Sequence, residues 1–96
     1  MARFSLLFVL LGLMALTSNA QLEFEHNGLT RTYYMDAPDP VPAGAPLVVV
    51  LHGYTSSAIL IRAYSNWDEL ALSEGFVAVF PQGTEDNFGI NHWLSL

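Results

Sequence analysis

Apolar and polar positions alternate where the charged part of the chain begins, with Leu22 and Phe24 set against Glu23 and Glu25. Asn27-Gly28 follows, the dipeptide best suited to a type I′ turn, and Leu29 to Met35 then alternates less regularly. The pattern predicts an antiparallel hairpin with Leu22 and Phe24 on one face. Leu47 to Leu51 is different, because its apolar residues run on without alternation. Such a run predicts an inner strand of a parallel sheet, covered on both faces. Phe76 to Phe80 is a second run of this kind. Between them Leu60, Ala63, Tyr64, Trp67, Leu70 and Ala71 recur at three- and four-residue spacings, which predicts one face of a helix. Asn66 with Glu69 has the form of a capping box and Gly75 stands where a left-handed C-terminal cap belongs, so the helix is expected over Asn66–Glu74. The pattern leaves open whether Ala58 to Ser65 is an earlier turn of the same helix. Strand, loop, helix and strand in this order form a βαβ unit, whose two strands should lie parallel.

The connections carry their own signals. Asp36 to Pro46 holds Pro38, Pro40, Pro42 and Pro46 and predicts an extended surface loop, since proline cannot donate to a ladder. Gly83 to Leu96 mixes turn formers with isolated aromatics and reads as loop. At the other end, Arg3, the uncharged apolar run Phe4 to Leu16 and the small residues of Ser18-Asn19-Ala20 read as a secretory signal over residues 1–20. Its apolar run is too short to span a bilayer. A secreted, extracellular product with a single domain portion over residues 21–96 is expected.

Charge and cysteine content narrow the partners. Beyond the leader the chain holds Arg31 and Arg62, no Lys and nine acidic residues. An acidic surface with no basic patch argues against nucleic acid and against anionic membranes as partners. With no cysteine there is neither a disulfide nor a thiolate metal site within these 96 residues. Two strands and one crossover helix also leave an apolar flank uncovered, with Tyr64, Trp67, Phe76 and Phe80 expected to be partly exposed and the separate chain prone to aggregate.

In open α/β sheets chemistry sits beyond the carboxyl ends of the strands, which directs attention to the loop His52 to Ser57. Gly53 allows a sharp turn that points successive backbone N–H groups toward one place, as a developing oxyanion requires. The serines Ser56, Ser57, Ser65, Ser73 and Ser95 lie in no Gly-x-Ser-x-Gly setting, and Ser56-Ser57 reads as a helix start. Asp68, Glu69 and Glu74 read as a solvated helix face, Glu85-Asp86 as a loop pair, and His26 and His92 as exposed. The three histidines have no metal-ligand spacing.

Leu51-His52-Gly53 after an apolar strand, Glu74-Gly75-Phe76-Val77 leading into Phe80-Pro81-Gln82-Gly83-Thr84, and a later Trp93 together resemble secreted esterases of the α/β-hydrolase fold. The type is the poly(3-hydroxybutyrate) depolymerase or feruloyl/acetyl-xylan esterase. The resemblance covers Leu22 to Trp93, and the order and spacing of the motifs carry it. It implies the amino-terminal part of an α/β-hydrolase, a three-layer sandwich opened by the antiparallel hairpin. It implies an oxyanion-hole amide from Tyr54, with Thr55 as second choice, a loop shaped by His52 and Gly53, and Trp93 lining a cleft. The nucleophile, acid and histidine of such an enzyme are expected downstream of Leu96. The substrate would be an ester, either a polyester or an acylated polysaccharide, with no cofactor. A secreted binding or structural module derived from the same fold, without catalysis, is the alternative.

Overall fold

The two residues of the first turn both adopt left-handed backbone, Asn27 at φ 50° and Gly28 at φ 78°. That is the conformation a two-residue type I′ hairpin demands. It joins β1 (Leu22–His26) to β2 (Leu29–Asp36) in an antiparallel register that sets His26 opposite Leu29 and Leu22 opposite Tyr33. The computed structural model describes residues 21–93, so the expected leader lies outside the described residues. After β2 come β3 (Leu47–Val49), helices α1 (Ala58–Ser65) and α2 (Trp67–Glu74), and β4 (Val77–Pro81). Two short strands, β5 (Thr84–Glu85) and β6 (Asn91–His92), form a second hairpin in the segment expected to be loop.

The main sheet has the order β1-β2-β4-β3. As expected, β3 and β4 are parallel, with Val48 opposite Ala78, while β4 meets β2 antiparallel, with Tyr34 opposite Phe80. The parallel ladder extends past the short strand, since Val77 N–H donates to the Pro46 carbonyl and Val50 N–H to that of Val79.

The expected interior position of Leu47 to Leu51 is not what forms. Among the described residues β3 is a border strand, and β4 holds the interior place. Nor are both faces of the run covered: Val50 is 9% exposed, whereas Leu47, Val49 and Leu51 are 64%, 54% and 55% exposed. The cause is that both helices lie on the same face. Ala58 of α1 and Ala71 of α2 share one buried cluster with Val50, Ala78 and Phe80, packed against by Tyr34, Val48, Ile61 and Phe76. A strand pleat sends alternate residues to opposite faces, so the other half of each apolar run faces away from that core. The described residues therefore form two layers and leave one apolar face of the sheet bare, the uncovered flank that the sequence predicts. Of the aromatics expected to be partly exposed, Phe80 is instead the largest fully buried side chain.

The helical region also departs from the pattern. Asn66 has φ 61°, a left-handed break between α1 and α2, and its side chain makes no capping hydrogen bond, so the expected capping box is absent. The break shifts the helical phase. Leu60 and Tyr64 are exposed, and α1 instead buries Ala58 and packs the partly buried Ile61 against the core. Ser57 does begin α1, its hydroxyl accepting from the Leu60 N–H at 3.3 Å. Gly75 ends α2 in left-handed backbone at φ 79°, as expected.

A charge pair ties α1 to the sheet. Asp36, the buried last residue of β2, accepts from Arg62 Nε at 2.7 Å and Nη2 at 2.8 Å. This two-point geometry matches the guanidinium fork to the carboxylate and holds the Arg62 pKa above its ordinary value. Asp68 of α2 approaches the same guanidinium at 3.9 Å, so it is not simply a solvated acid.

Candidate functional site

Beyond β3 the chain leaves the ladder at Val50, exposes Leu51 and turns His52 inward, where only 2% of it stays accessible. A buried imidazole needs partners for both ring nitrogens. Nε2 accepts the Gly83 N–H at 2.9 Å, which assigns the hydrogen to Nδ1, and Nδ1 donates to the Gly53 carbonyl at 2.8 Å. The ring packs at 4.7 Å from Trp93, whose indole N–H donates to the His52 carbonyl at 2.7 Å. With both nitrogens engaged, His52 has no lone pair free to act as a base, and its contacts shape the loop.

The loop after β4 is built to meet it. At Gly83 a Cβ would overlap the carbonyl oxygen of His92 and lie 3.1 Å from His52 Nε2, so the close approach requires glycine. Its neighbour Gln82 accepts the Ala58 N–H at 2.9 Å through Oε1, satisfying an orphan donor at the start of α1, and donates to the Gly83 carbonyl at 3.2 Å.

The β5–β6 hairpin supplies the third side. Asp86 directs its turn, Oδ1 accepting from the Phe88 N–H at 2.8 Å and from the Ile90 N–H at 3.0 Å. Its other oxygen accepts the Tyr54 hydroxyl at 3.2 Å. The Ile90 amide above all, then the Phe88 amide and the Tyr54 hydroxyl, hold the Asp86 carboxyl below its ordinary pKa. Tyr54 is pushed above its ordinary value, by partial desolvation first and then by the Asp86 charge. Asp86 is thus an organising residue, not the plain loop acid its neighbourhood suggested. His92, expected to be an exposed loop residue, is half-buried in β6 and donates from Nδ1 to the Thr84 carbonyl at 2.8 Å.

The sequence-derived donors fare differently. Thr55 adopts left-handed backbone at φ 71°, and its N–H donates to the Asn91 carbonyl at 3.1 Å. This second-choice oxyanion donor is therefore already engaged. Ser56 N–H returns to the Gly53 carbonyl at 3.1 Å, and Asn91 Nδ2 donates to the Ser56 carbonyl at 2.9 Å. The Tyr54 and Gly53 N–H groups have no hydrogen-bond partner among the described residues. Tyr54 is 61% exposed, so its amide belongs to an open part of a loop that is otherwise tied down. Trp93 lies against His52, and no enclosed cavity forms beside it among the described residues. Asn91 and Asp86 escaped sequence reasoning because short polar strands give no apolar signal; Asp86 followed three residues later by Gly89 is the one turn cue available.

Two proteins share sequence with this chain. A bifunctional acetylxylan esterase/xylanase from Neocallimastix patriciarum is 33% identical over 66 residues, 69% of this chain and 9% of that protein. Poly(3-hydroxyalkanoate) depolymerase C from Paucimonas lemoignei is 41% identical over 54 residues, 56% of this chain and 13% of its own length. The chain is esterase-related over that stretch. It spans only about a tenth of the length of these relatives. No protein-family model and no solved structure matches it. Among the described residues no helix is long and apolar enough to cross a membrane.

Proposed function

We propose that this chain is the amino-terminal portion of a secreted carboxylic-ester hydrolase of the α/β-hydrolase fold, and that the Tyr54 amide is one donor of its oxyanion hole. The single observation that carries this is the Tyr54 N–H, without a partner among the described residues, on a loop whose next two residues are held by Asn91. An oxyanion donor must be fixed before the charge develops, because reorientation during the reaction costs what the hydrogen bond returns. A nucleophile presented in a Gly-x-Ser-x-Gly turn would attack the ester carbonyl, the charged oxygen would accept from Tyr54, and the alcohol would leave from an acyl-enzyme. No described residue supplies the nucleophile or the base. The substrates named for the two relatives suggest a polyester or an acylated polysaccharide as the ester.

The border position of β3 withdraws one support, since an interior strand was part of the expectation. The proposal rests instead on the loop geometry and on the esterase relationship. A bare, apolar β3 edge is also what a sheet presents when a further parallel strand is to be added there.

The second proposal is a secreted binding or structural module that keeps this part of the fold without catalysis. The transcript beyond the Leu96 codon separates the two. A continuing frame that encodes Gly-x-Ser-x-Gly, followed by an acid and a histidine, supports the hydrolase. A stop codon there, with a soluble secreted product, supports the module.

A further inference from the structure

Three consecutive residues of the His52 to Ser57 loop are each held by the same short hairpin. The Tyr54 hydroxyl donates to Asp86 at 3.2 Å, the Thr55 N–H to the Asn91 carbonyl at 3.1 Å, and the Ser56 carbonyl accepts from Asn91 Nδ2 at 2.9 Å. Thr55 sits at φ 71°, where a β-branched side chain is strained, and such a conformation persists only when surrounding contacts over-determine it. We propose that the β5–β6 hairpin is a positioning clamp for this loop, with Asn91 and Asp86 as its positioning residues. Its effect is to hold Thr55 in left-handed backbone, so that the Thr55 amide turns onto Asn91 while the Tyr54 amide stays unpaired. This deepens the oxyanion proposal and rests on it for its purpose, though not for its geometry.

The loop and the hairpin share this task. The Ser56 N–H to Gly53 carbonyl bond, at 3.1 Å, closes a turn with Tyr54 and Thr55 at its centre, and a left-handed third residue suits such a turn; glycine or asparagine takes that place at least cost, so holding the β-branched Thr55 there calls on the hairpin's further grips. Asp86 in turn keeps the hairpin's own turn closed through the Phe88 and Ile90 amides. One carboxylate therefore fixes the clamp's shape and its grip on Tyr54 together.

The test is amide hydrogen exchange, read by mass spectrometry at residue resolution, on the chain at low micromolar concentration. Two variants remove single grips: Asn91→Asp keeps the shape of the side chain but removes its donor, and Tyr54→Phe removes only the hydroxyl. Each should speed exchange at Thr55 by about fivefold to tenfold, the loss expected for one net hydrogen bond. The Val50 and Gln82 amides, which donate to Val79 and Thr32 in the main sheet, should be unmoved. Unchanged Thr55 exchange in both variants, or equal acceleration at Val50 and Gln82, overturns the clamp, the second because it marks a general loss of stability. A reading frame without a nucleophile motif overturns the esterase proposal yet leaves Thr55 exchange as the measure of the clamp, so the two failures are distinguishable.

Discussion

The two faces that meet at β3 are held in opposite ways. At its carboxyl end, His52, Gly83, Asn91 and Trp93 engage nearly every polar group they bring, and no buried side-chain nitrogen or oxygen among the described residues lacks a partner. A few residues earlier, Leu47 and Val49 present apolar side chains to solvent, and Met35, opposite Val79 on the same sheet, is also exposed. Polar groups are directional and must be satisfied locally, so the described residues hold most of the loop end among themselves, the Gly53 and Tyr54 N–H groups excepted. Apolar burial is non-directional and needs only a cover, which these residues do not provide for that face. The contrast separates what the segment fixes alone, the loop, from what it leaves for another surface.

Removing Arg62 should have the largest effect, because it breaks the tie between α1 and the sheet on which both regions stand. Arg62→Ala leaves the Asp36 carboxylate buried without its partner, and uncompensated buried charges cost on the order of 3 kcal/mol or more. Chemical denaturation should show this loss, and Asp36→Asn combined with Arg62→Met should recover a good part of it. If the single variant is as stable as the parent, the charge pair is not what holds α1.

Gly83→Ala aims at the loop end alone. The added Cβ overlaps the His92 carbonyl oxygen, and relief requires moving β6 away from the His52 ring. Overpacking against backbone costs about 2 kcal/mol. Trp93 fluorescence should change with it, since the indole rests on His52. The bare sheet face should be indifferent: exchange at the Val77 amide, bonded to Pro46 at the far end of the ladder, should change only with global stability.

Leu47→Lys with Val49→Thr is aimed at the other region. Both side chains are exposed and away from the buried cluster, so stability should change by no more than about 0.5 kcal/mol. Self-association should fall, because charge on an edge strand and the loss of an apolar patch both oppose edge and face contacts. Sedimentation of the parent chain across concentrations should show association that the variant lacks. A parent that stays monomeric throughout would mean that the open face is harmless.

These regions also differ in how legible they were. The type I′ turn at Asn27-Gly28 and the cap at Gly75 followed from local backbone chemistry, which neighbours do not change, and the parallel pairing of β3 with β4 from the order strand, helix, strand. Which strand lies inside was misjudged, because an unbroken apolar run reports that both faces favour cover and not that cover is present in this segment. The phase of the helices was lost at Asn66, where one left-handed residue undoes a periodicity read through it. In the loop, His52 and Gly53 could be seen from their place after an apolar strand. The roles of Asp86 toward Tyr54, of Asn91 toward Thr55 and Ser56 and of Gln82 toward Ala58 could not, because a hydrogen bond across more than twenty residues leaves no spacing to read.

The smallest effect expected, and the one most specific to the loop end, is its response to pH. Asp86 has a folded-state pKa below its unfolded value, so it binds protons more readily when unfolded, and its contribution is complete above the ordinary carboxylate range of about 4. As pH falls through the lowered value that contribution is lost, with the Ile90 and Phe88 amides and the Tyr54 hydroxyl losing their charged acceptor. Tyr54 has the opposite sign: its pKa is raised, so its share is intact below about pH 10 and disappears only as pH rises through the raised value. Exchange at the Ile90 and Phe88 amides, corrected for its intrinsic pH dependence, should therefore lose protection below about pH 4, and Asp86→Asn should remove the pH dependence. Protection at Val50 should not follow, since its bond to the Val79 carbonyl involves no titrating group. If Val50 and Ile90 lose protection together, acid acts on the whole fold and the two regions are not separately held.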